Sequence, residues 1–370
     1  MKTITTQIEK EKEEVSITDQ MKKFLIKGFY GFNSIICFGL AKRLGIFDYL
    51  NEKSKKKSNS GPISSISFTT KEIVTNLNLD PDYLEAWIHL SLDCGIFEIE
   101  NVEERVLRTA PHVFNLLINK DHMFYVGSII SLFYYFAPLQ DLIIDVFKTG
   151  RIPDENDVPE EFVMDGHRNS ANWGNIIERL FSKYFKKNSR MIRKEGTILE
   201  VGCGYGFNLK NWAEKYKGAK LIGIDIDSRF TSFAKNLIEQ NNLNDRVEVL
   251  DIPIDKFAKS RGGQFDLILL NQVLHEMDHD ETYRRDVIKD LYSLLKDDGI
   301  LIIGETIIPD AFSPKKGFQL FDIMHKFLEA KFARFYDEKS FRNFIESTPF
   351  KKAELIKERG EYFWALQKEK

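Results

Sequence analysis

The stretch from Thr197 to Asp227 (TILEVGCGYGFNLKNWAEKYKGAKLIGIDID) constrains this 370-residue chain more than any other segment. It reads as strand, glycine turn, helix, strand and acid. Thr197 to Val201 is a short apolar run suited to a buried strand. Gly202, Gly204 and Gly206 then form a G-x-G-x-G turn. Glycine serves there because the backbone visits angles that a Cβ forbids, and because a ligand must approach the main chain closely. Phe207 to Lys217 predicts a helix whose first N–H groups face that ligand. Lys220 to Ile224 predicts a second strand, closed by Asp225, which lies 19 residues after Gly206. A carboxylate at about that spacing grips ribose hydroxyls in nucleotide-binding βαβ units. Glu200 brings a second acid to the start of the turn. A glycine turn alone is also a common ligand-free connection; here the acids, glycines, helix and strand end stand in register.

Size and composition set the frame. A chain of 370 residues, 43% hydrophobic and 29% charged, supports two globular domains, each with its own core. The net charge of −3 and pI near 6.2 give no overall attraction to nucleic acid or anionic membrane. Cys37, Cys94 and Cys203 are odd in number and far apart, which argues against a disulfide framework and for a reducing, cytoplasmic compartment. Cys203 sits inside the glycine turn and reads as a small buried thiol. Residues 1–18 read as a mobile tail, polar and charged without the apolar core of a signal peptide. The run Met123 to Leu139 is uncharged but falls short of the ~20 residues that a spanning helix needs, so it predicts a buried helix.

The residues divide into an N-terminal helical domain (19–150), a linker (151–170) with two prolines in GRIPDENDVP, and an α/β domain (171–370). Phe29 to Leu50 carries helical apolar spacing, and Lys53 to Ser65 is a polar loop. Thr69 to Glu72 opens a helix with cap chemistry, and Asp80-Pro81 opens another, with aspartate as N-cap and proline at its first position. Phe97 to Glu100 and Arg105 to Thr109 then predict a hairpin. Helix, helix, hairpin is the winged-helix pattern. The helix that would enter a DNA groove, however, carries Asp82, Glu85, His89 and Asp93 and no lysine or arginine, which disfavours phosphate contacts. This module is read as an interaction domain. In the second half, Val247 to Leu250, the wholly apolar Phe265 to Leu270, Gly299 to Gly304, Lys352 to Ile356 and Phe363 to Gln367 predict further strands, with helices between. The fold class is α/β, a Rossmann-like doubly wound sheet, with ligands expected at the carboxyl ends of its strands.

The third glycine arrives one residue earlier than in the dinucleotide pattern, and E-V-G-C-G-Y-G resembles motif I of the class I S-adenosyl-L-methionine-dependent methyltransferases. That cofactor has no pyrophosphate, so a wide loop passing its methionine end suits it. Asn271-Gln272-Val273-Leu274-His275-Glu276-Met277 resembles the N/K-x-x-L-H-[DE] segment of the plant-type and bacterial small-molecule O-methyltransferases. Ala41, Leu44, Gly45, Ile46, Phe47 and Asp48 fit that family's A-x-x-L-G-I-F-D turn. The resemblance runs from about residue 25 to the end. It implies S-adenosyl-L-methionine as cofactor, a small-molecule hydroxyl acceptor, and a homodimer formed through the N-terminal winged-helix domain. It places Glu200, Gly202, Gly204, Asp225, Asp251, Ile252 and Asn271 against the cofactor. His275 becomes the general base, and Glu305, on the next strand, orients it. Methylation of nitrogen or carbon, or use of the cofactor without transfer, remains open within this architecture.

Two departures stand out. Asn271 replaces a lysine of plant members. Phe335 occupies the place of a second glutamate, for which Asp337 or Glu338 is the expected substitute. His167 is expected as a further polar group of the substrate pocket. Residues 275–279 also spell His-Glu-Met-Asp-His, a formal match to the zinc motif H-E-x-x-H. Its place directly after a buried strand, rather than within a helix, speaks against that use, and no metal is expected.

Overall fold

The computed structural model describes residues 16–369 except 57–64, 121, 123, 155, 278–279, 310–318 and 332. The expected tail lies outside these residues up to position 15. Ser16 already caps a helix, its hydroxyl accepting from the Asp19 N–H. Most of the expected loop 53–65 is likewise outside. Two compact units divide between Tyr134 and Tyr135. That is earlier than the break expected at 151–170, a stretch that helix formation over 160–184 largely takes up.

The first unit begins with α1 (Ile17–Arg43) and α2 (Ile46–Lys56). The expected Leu-Gly-Ile-Phe-Asp turn falls at this junction, where Gly45 ends α1 by adopting φ +75 and α2 starts at once. β1 (Ser67–Thr69), not anticipated, leads into α3 (Thr70–Leu77) and α4 (Pro81–Asp93). Thr69 and Glu72 form a reciprocal capping box on α3, and Asp80 caps α4 by accepting from the Asp82 and Tyr83 N–H groups. β2 (Phe97–Asn101) and β3 (Val106–Thr109) form the hairpin, with β1 added beside β3. This is the winged-helix arrangement. Its core joins Phe38, Phe47, Phe68, Ile73, Trp87 and Phe97. On α4, Asp82, His89 and Asp93 are exposed, and Glu85 pairs with Arg105 at 2.6 Å. After a π-helical turn at Phe114–Ile118 comes α5 (Gly127–Tyr135), with α6 (Gln140–Thr149) beyond it. No single helix among the described residues is long and apolar enough to cross a membrane, although α5 and α6 together pass that test as a pair bent by 64°.

The second unit continues with α7 (Glu160–Tyr184), α8 (Lys186–Glu195), β4 (Thr197–Val201), α9 (Phe207–Lys215), β5 (Lys220–Asp225) and α10 (Ser228–Gln240). Then come β6 (Val247–Asp251), α11 (Ile254–Lys259), β7 (Phe265–Asn271), α12 (Glu281–Leu294), β8 (Leu295–Gly304), α13 (Gln319–Leu328), α14 (Glu338–Glu346), β9 (Glu354–Glu358) and β10 (Glu361–Leu366). The seven strands lie in the order β6-β5-β4-β7-β8-β10-β9. The first five are parallel; β10 runs antiparallel to β8, and β9 to β10. β7 is buried along its whole length, as its apolar run requires. Its alternation feeds two cores: Leu267 and Leu269 pack with Leu209, Trp212 and Leu221, whereas Ile268 and Leu270 pack with Val287, Ile288 and Leu291. Helices therefore cover both sheet faces. The strand order reverses between β4 and β7, which opens the crevice where such sheets hold ligands.

Candidate active site

β4 delivers Glu200 and the glycine turn to that crevice. Gly202 and Gly204 adopt φ +70 and +49. A Cβ on Gly202 would stand 2.5 Å from Val273, and one on Gly204 only 2.2 Å from the His167 ring, so both conformation and space demand glycine. The Gly204 N–H donates to Asp225 Oδ2 at 2.8 Å, and the Asp227 N–H to Oδ1 at 3.0 Å. These bonds fix the Asp225 carboxylate beside the turn and leave lone pairs on both oxygens. Burial raises its carboxyl, against the pull of those N–H groups. β6 ends in register beside it, Asp251 opposite Asp225, and the Ile252 N–H donates to the Asp225 carbonyl at 3.0 Å.

Glu200 is buried. Its Oε1 accepts from Asn208 Nδ2 at 2.7 Å, whereas Oε2 finds no partner among the described residues. Burial lifts this carboxyl to about 8, with the Asn208 bond opposing and the Asp225 charge adding. An unspent acid in such a place suits a cationic ligand group, whose charge restores the carboxylate. Asn208 was not singled out from the sequence, although its place in the first turn of the post-glycine helix marks it. Burial and the acids Glu200 and Asp225 push the Cys203 thiol well above its usual value, so it is an inert filler of the turn. His167, expected near the substrate, instead packs on the glycine turn, 4.8 Å from Tyr205 and 4.8 Å from Phe230, and burial lowers it to about 4.

The ends of β7 and β8 build the second group. Asn271 Nδ2 donates to the Ser170 carbonyl at 2.8 Å and ties α7 to the sheet, leaving a buried Oδ1 without a partner among the described residues. Gln272 turns the chain at φ +56. Glu305 then collects this loop: its Oε1 accepts from the N–H groups of Val273 (3.0 Å), Leu274 (2.6 Å) and His275 (3.3 Å). Its Oε2 meets His275 Nδ1 at 3.0 Å. Arg284, itself buried, donates to the carbonyls of Met277 and His275 and holds the loop from beyond. Phe335 stacks on the His275 ring, centroids 4.3 Å apart at 19°. His275 is 1% exposed, and its Nε2 finds no hydrogen-bond partner among the described residues. Glu276 Oε1 lies 3.5 Å from that nitrogen and Glu329 Oε2 3.8 Å. Burial opposes charge on this imidazole, but Glu305, Glu276 and Glu329 outweigh it and raise His275 to about 9.

Neither expected substitute pairs with His275. Asp337 is the N-cap of α14, in a capping box with Ser340, and Glu338 pairs with Arg342 at 3.0 Å. Glu329, at the end of α13, reaches His275 instead, and His325 stands one helical turn before it, its ring 4.8 Å from that of His275. The i, i+4 spacing of His325 and Glu329 was the available signal. Of the motif at 275–279, His275 and Glu276 lie in a turn rather than a helix, and Asp278 and His279 lie outside the described residues.

Comparison with known proteins agrees with this geometry. Residues 199–301 match the methyltransferase domain family. The ubiquinone biosynthesis O-methyltransferase of Psychrobacter cryohalolentis (strain ATCC BAA-1226 / DSM 17306 / VKM B-2378 / K5) is 30% identical over 110 residues, 29% of this chain and 41% of that protein. The chain thus spans less than half the length of that curated relative. Among solved structures, the mitomycin 7-O-methyltransferase MmcR superposes with a TM-score of 0.63 at 14% identity, covering 95% of this chain and 98% of that one. Human N-acetylserotonin methyltransferase in complex with S-adenosylmethionine gives 0.64 at 14% identity, covering 97% and 99%. At such identities the superpositions establish the fold. Residues 199–301 thus carry a methyltransferase domain, and the chain shares the two-domain fold of these O-methyltransferase structures.

Glu305→Ala removes the acceptor of three backbone N–H groups, so the amides of Val273, Leu274 and His275 should lose hydrogen-exchange protection while the β4–β5 amides keep theirs. Unchanged protection at 273–275 would contradict the clamp.

Proposed function

We propose that this chain transfers the methyl group of S-adenosyl-L-methionine to a hydroxyl of a small, aromatic or polyketide-like molecule, with His275 as the general base. The observation that carries the reading is the pairing of His275 Nδ1 with Glu305, which leaves a buried Nε2 as the proton-accepting atom. The cofactor's needs match the first group of residues: a glycine turn without side chains, a buried acid with an unspent oxygen, and a second carboxylate at the next strand end. Glu200 would hold the amino-acid end, Asp225 the ribose hydroxyls, Asp251 and Ile252 the adenine, with Gly202, Gly204 and Asn271 lining the path. When bound, S-adenosyl-L-methionine supplies a methyl group already activated on a sulfonium. What remains for the protein is alignment and removal of one proton.

His275 takes that proton at Nε2 while Glu305 keeps Nδ1 protonated and the ring oriented. Phe335 fixes the plane of the ring by stacking on it. A phenol ionises near pH ~10 and His275 at about 9, so transfer between them is close to balanced. The relatives' names, as O-methyltransferases, support an oxygen acceptor. The N-terminal unit fits a dimerisation role: α1 exposes Met21, Leu25, Ile26, Phe29, Tyr30 and Phe32, an apolar surface that a second copy would cover. With three free cysteines, the chain suits a reducing cytoplasmic compartment.

Calorimetric titration of the full chain with S-adenosyl-L-methionine should give micromolar binding, lost in Asp225→Ala and kept in His275→Gln. With a phenolic acceptor, His275→Gln should lower kcat by about 10²–10⁴-fold. Absence of cofactor binding by the folded wild-type chain would end the proposal; undiminished turnover in His275→Gln would end the base role. The base form of His275 is the neutral imidazole, which gains population as pH rises through its folded value of about 9. kcat/KM should therefore climb with pH up to that value. In Glu305→Gln, the loss of the carboxylate charge should move the rise to lower pH, whereas identical profiles would contradict control by Glu305. Light scattering should report twice the 43.1 kDa chain mass, and a monomer would refute the dimer.

A further inference from the structure

Beside the proposed base lies a second donor set that methyl transfer does not use. His325 Nδ1 lies 2.7 Å from the Phe321 carbonyl, which can only accept, so Nδ1 carries the hydrogen and Nε2 keeps its lone pair. His275 is fixed in the same sense, with Nδ1 on Glu305 and a buried Nε2 lacking a hydrogen-bond partner among the described residues. With both rings neutral, separate acceptors on Nδ1 leave the lone pair on each Nε2, and both nitrogens lie near the Glu329 carboxylate: His325 Nε2 is 3.5 Å from Oε1, and His275 Nε2 is 3.8 Å from Oε2. One donor atom from each of the three residues lies within 4.8 Å of the others.

We infer that His275, His325 and Glu329 form a binding site for a first-row divalent cation of the zinc class. Two neutral imidazoles and one carboxylate are the donors such an ion prefers, whereas calcium and magnesium seek all-oxygen shells. Tetrahedral bonds of ~2.0–2.1 Å place ligand atoms about 3.3 Å apart, so donors spread over as much as 4.8 Å close on an ion by side-chain rotation. His325 and Glu329 are one helical turn apart; the backbone N–H of Glu329 donates to the His325 carbonyl at 2.9 Å, which sets both on one face. Glu305 supplies the outer carboxylate that orients a metal-bound histidine and raises its donor strength. The Glu329 side chain is 37% exposed and gives an ion its way in. Three protein ligands leave a fourth position for water or an acceptor oxygen. This pairing differs from the sequence motif at 275–279, since its second histidine comes from α13. An ion takes the Nε2 lone pair that the base uses, so metal and acceptor proton are alternative occupants of one atom.

The test needs neither cofactor nor acceptor, so its failure is distinct from failure of the methyl-transfer proposal. The tag-free full chain, cleared of metal with chelator, is titrated with Co²⁺ and then Zn²⁺. The expected result is one equivalent bound with micromolar or tighter affinity, visible Co²⁺ bands of four- or five-coordinate intensity, and their loss on adding Zn²⁺. Glu329→Gln, at the partly exposed end of a helix and safe for folding, should weaken binding at least about tenfold, and His325→Ala should abolish the bands. Titration with S-adenosyl-L-methionine should be unchanged in both variants, which shows them folded. Lack of saturable binding at millimolar ion, or affinity equal to wild type in both variants, would overturn the site.

Discussion

One carboxylate organises the candidate site of the α/β unit. Glu305 follows strand β8 and spends one oxygen on three consecutive backbone N–H groups and the other on His275. A buried carboxylate needs this many donors to offset its lost hydration, and a loop that turns at Gln272 needs an acceptor for N–H groups the sheet no longer serves. Each solves the other's problem. The imidazole is then held by a bond at Nδ1 and by the ring of Phe335, and only Nε2 is left to act. Position and tautomer descend from that carboxylate, and the ring plane from the Phe335 stack.

The two ends of the crevice are tuned in opposite senses. Around the glycine turn, burial drives Glu200 to about 8 and favours its neutral form. Around His275, three glutamates hold an imidazolium against burial, at about 9, while burial and the neighbouring His275 charge push His325 down to about 3. A ligand carrying positive charge is thus favoured at one end and proton acceptance at the other. Each half of the proposed reaction calls for one of these environments.

Much of this was legible in the chain because the signals were local. Glycine spacing, an apolar run and a terminal acid specify β4 to β5 within thirty-odd residues, and Asp80-Pro81 or Thr69 with Glu72 announce helix starts by their own cap chemistry. Each strand of the sheet was foreseen, and the five parallel ones because they are short, largely apolar runs between turn residues. What was not legible depends on distance through the fold. Glu329 reaches His275 across 54 positions, and no local pattern near the family's usual acid reveals it. His167 reads as a pocket residue until α7 is seen laid over Gly204. The unit boundary fell at Tyr134 rather than in the proline-bearing stretch, since α7 packs on the α/β domain and draws its neighbours with it.

The measurement that reaches the centre of this account is the ¹⁵N NMR titration of the His275 side chain in the full chain, assigned by comparison with His275→Gln. The account predicts a neutral form protonated at Nδ1 and a titration midpoint well above that of a free histidine, near 9. A midpoint at or below the free value of about 6.5, or a neutral form protonated at Nε2, would contradict it.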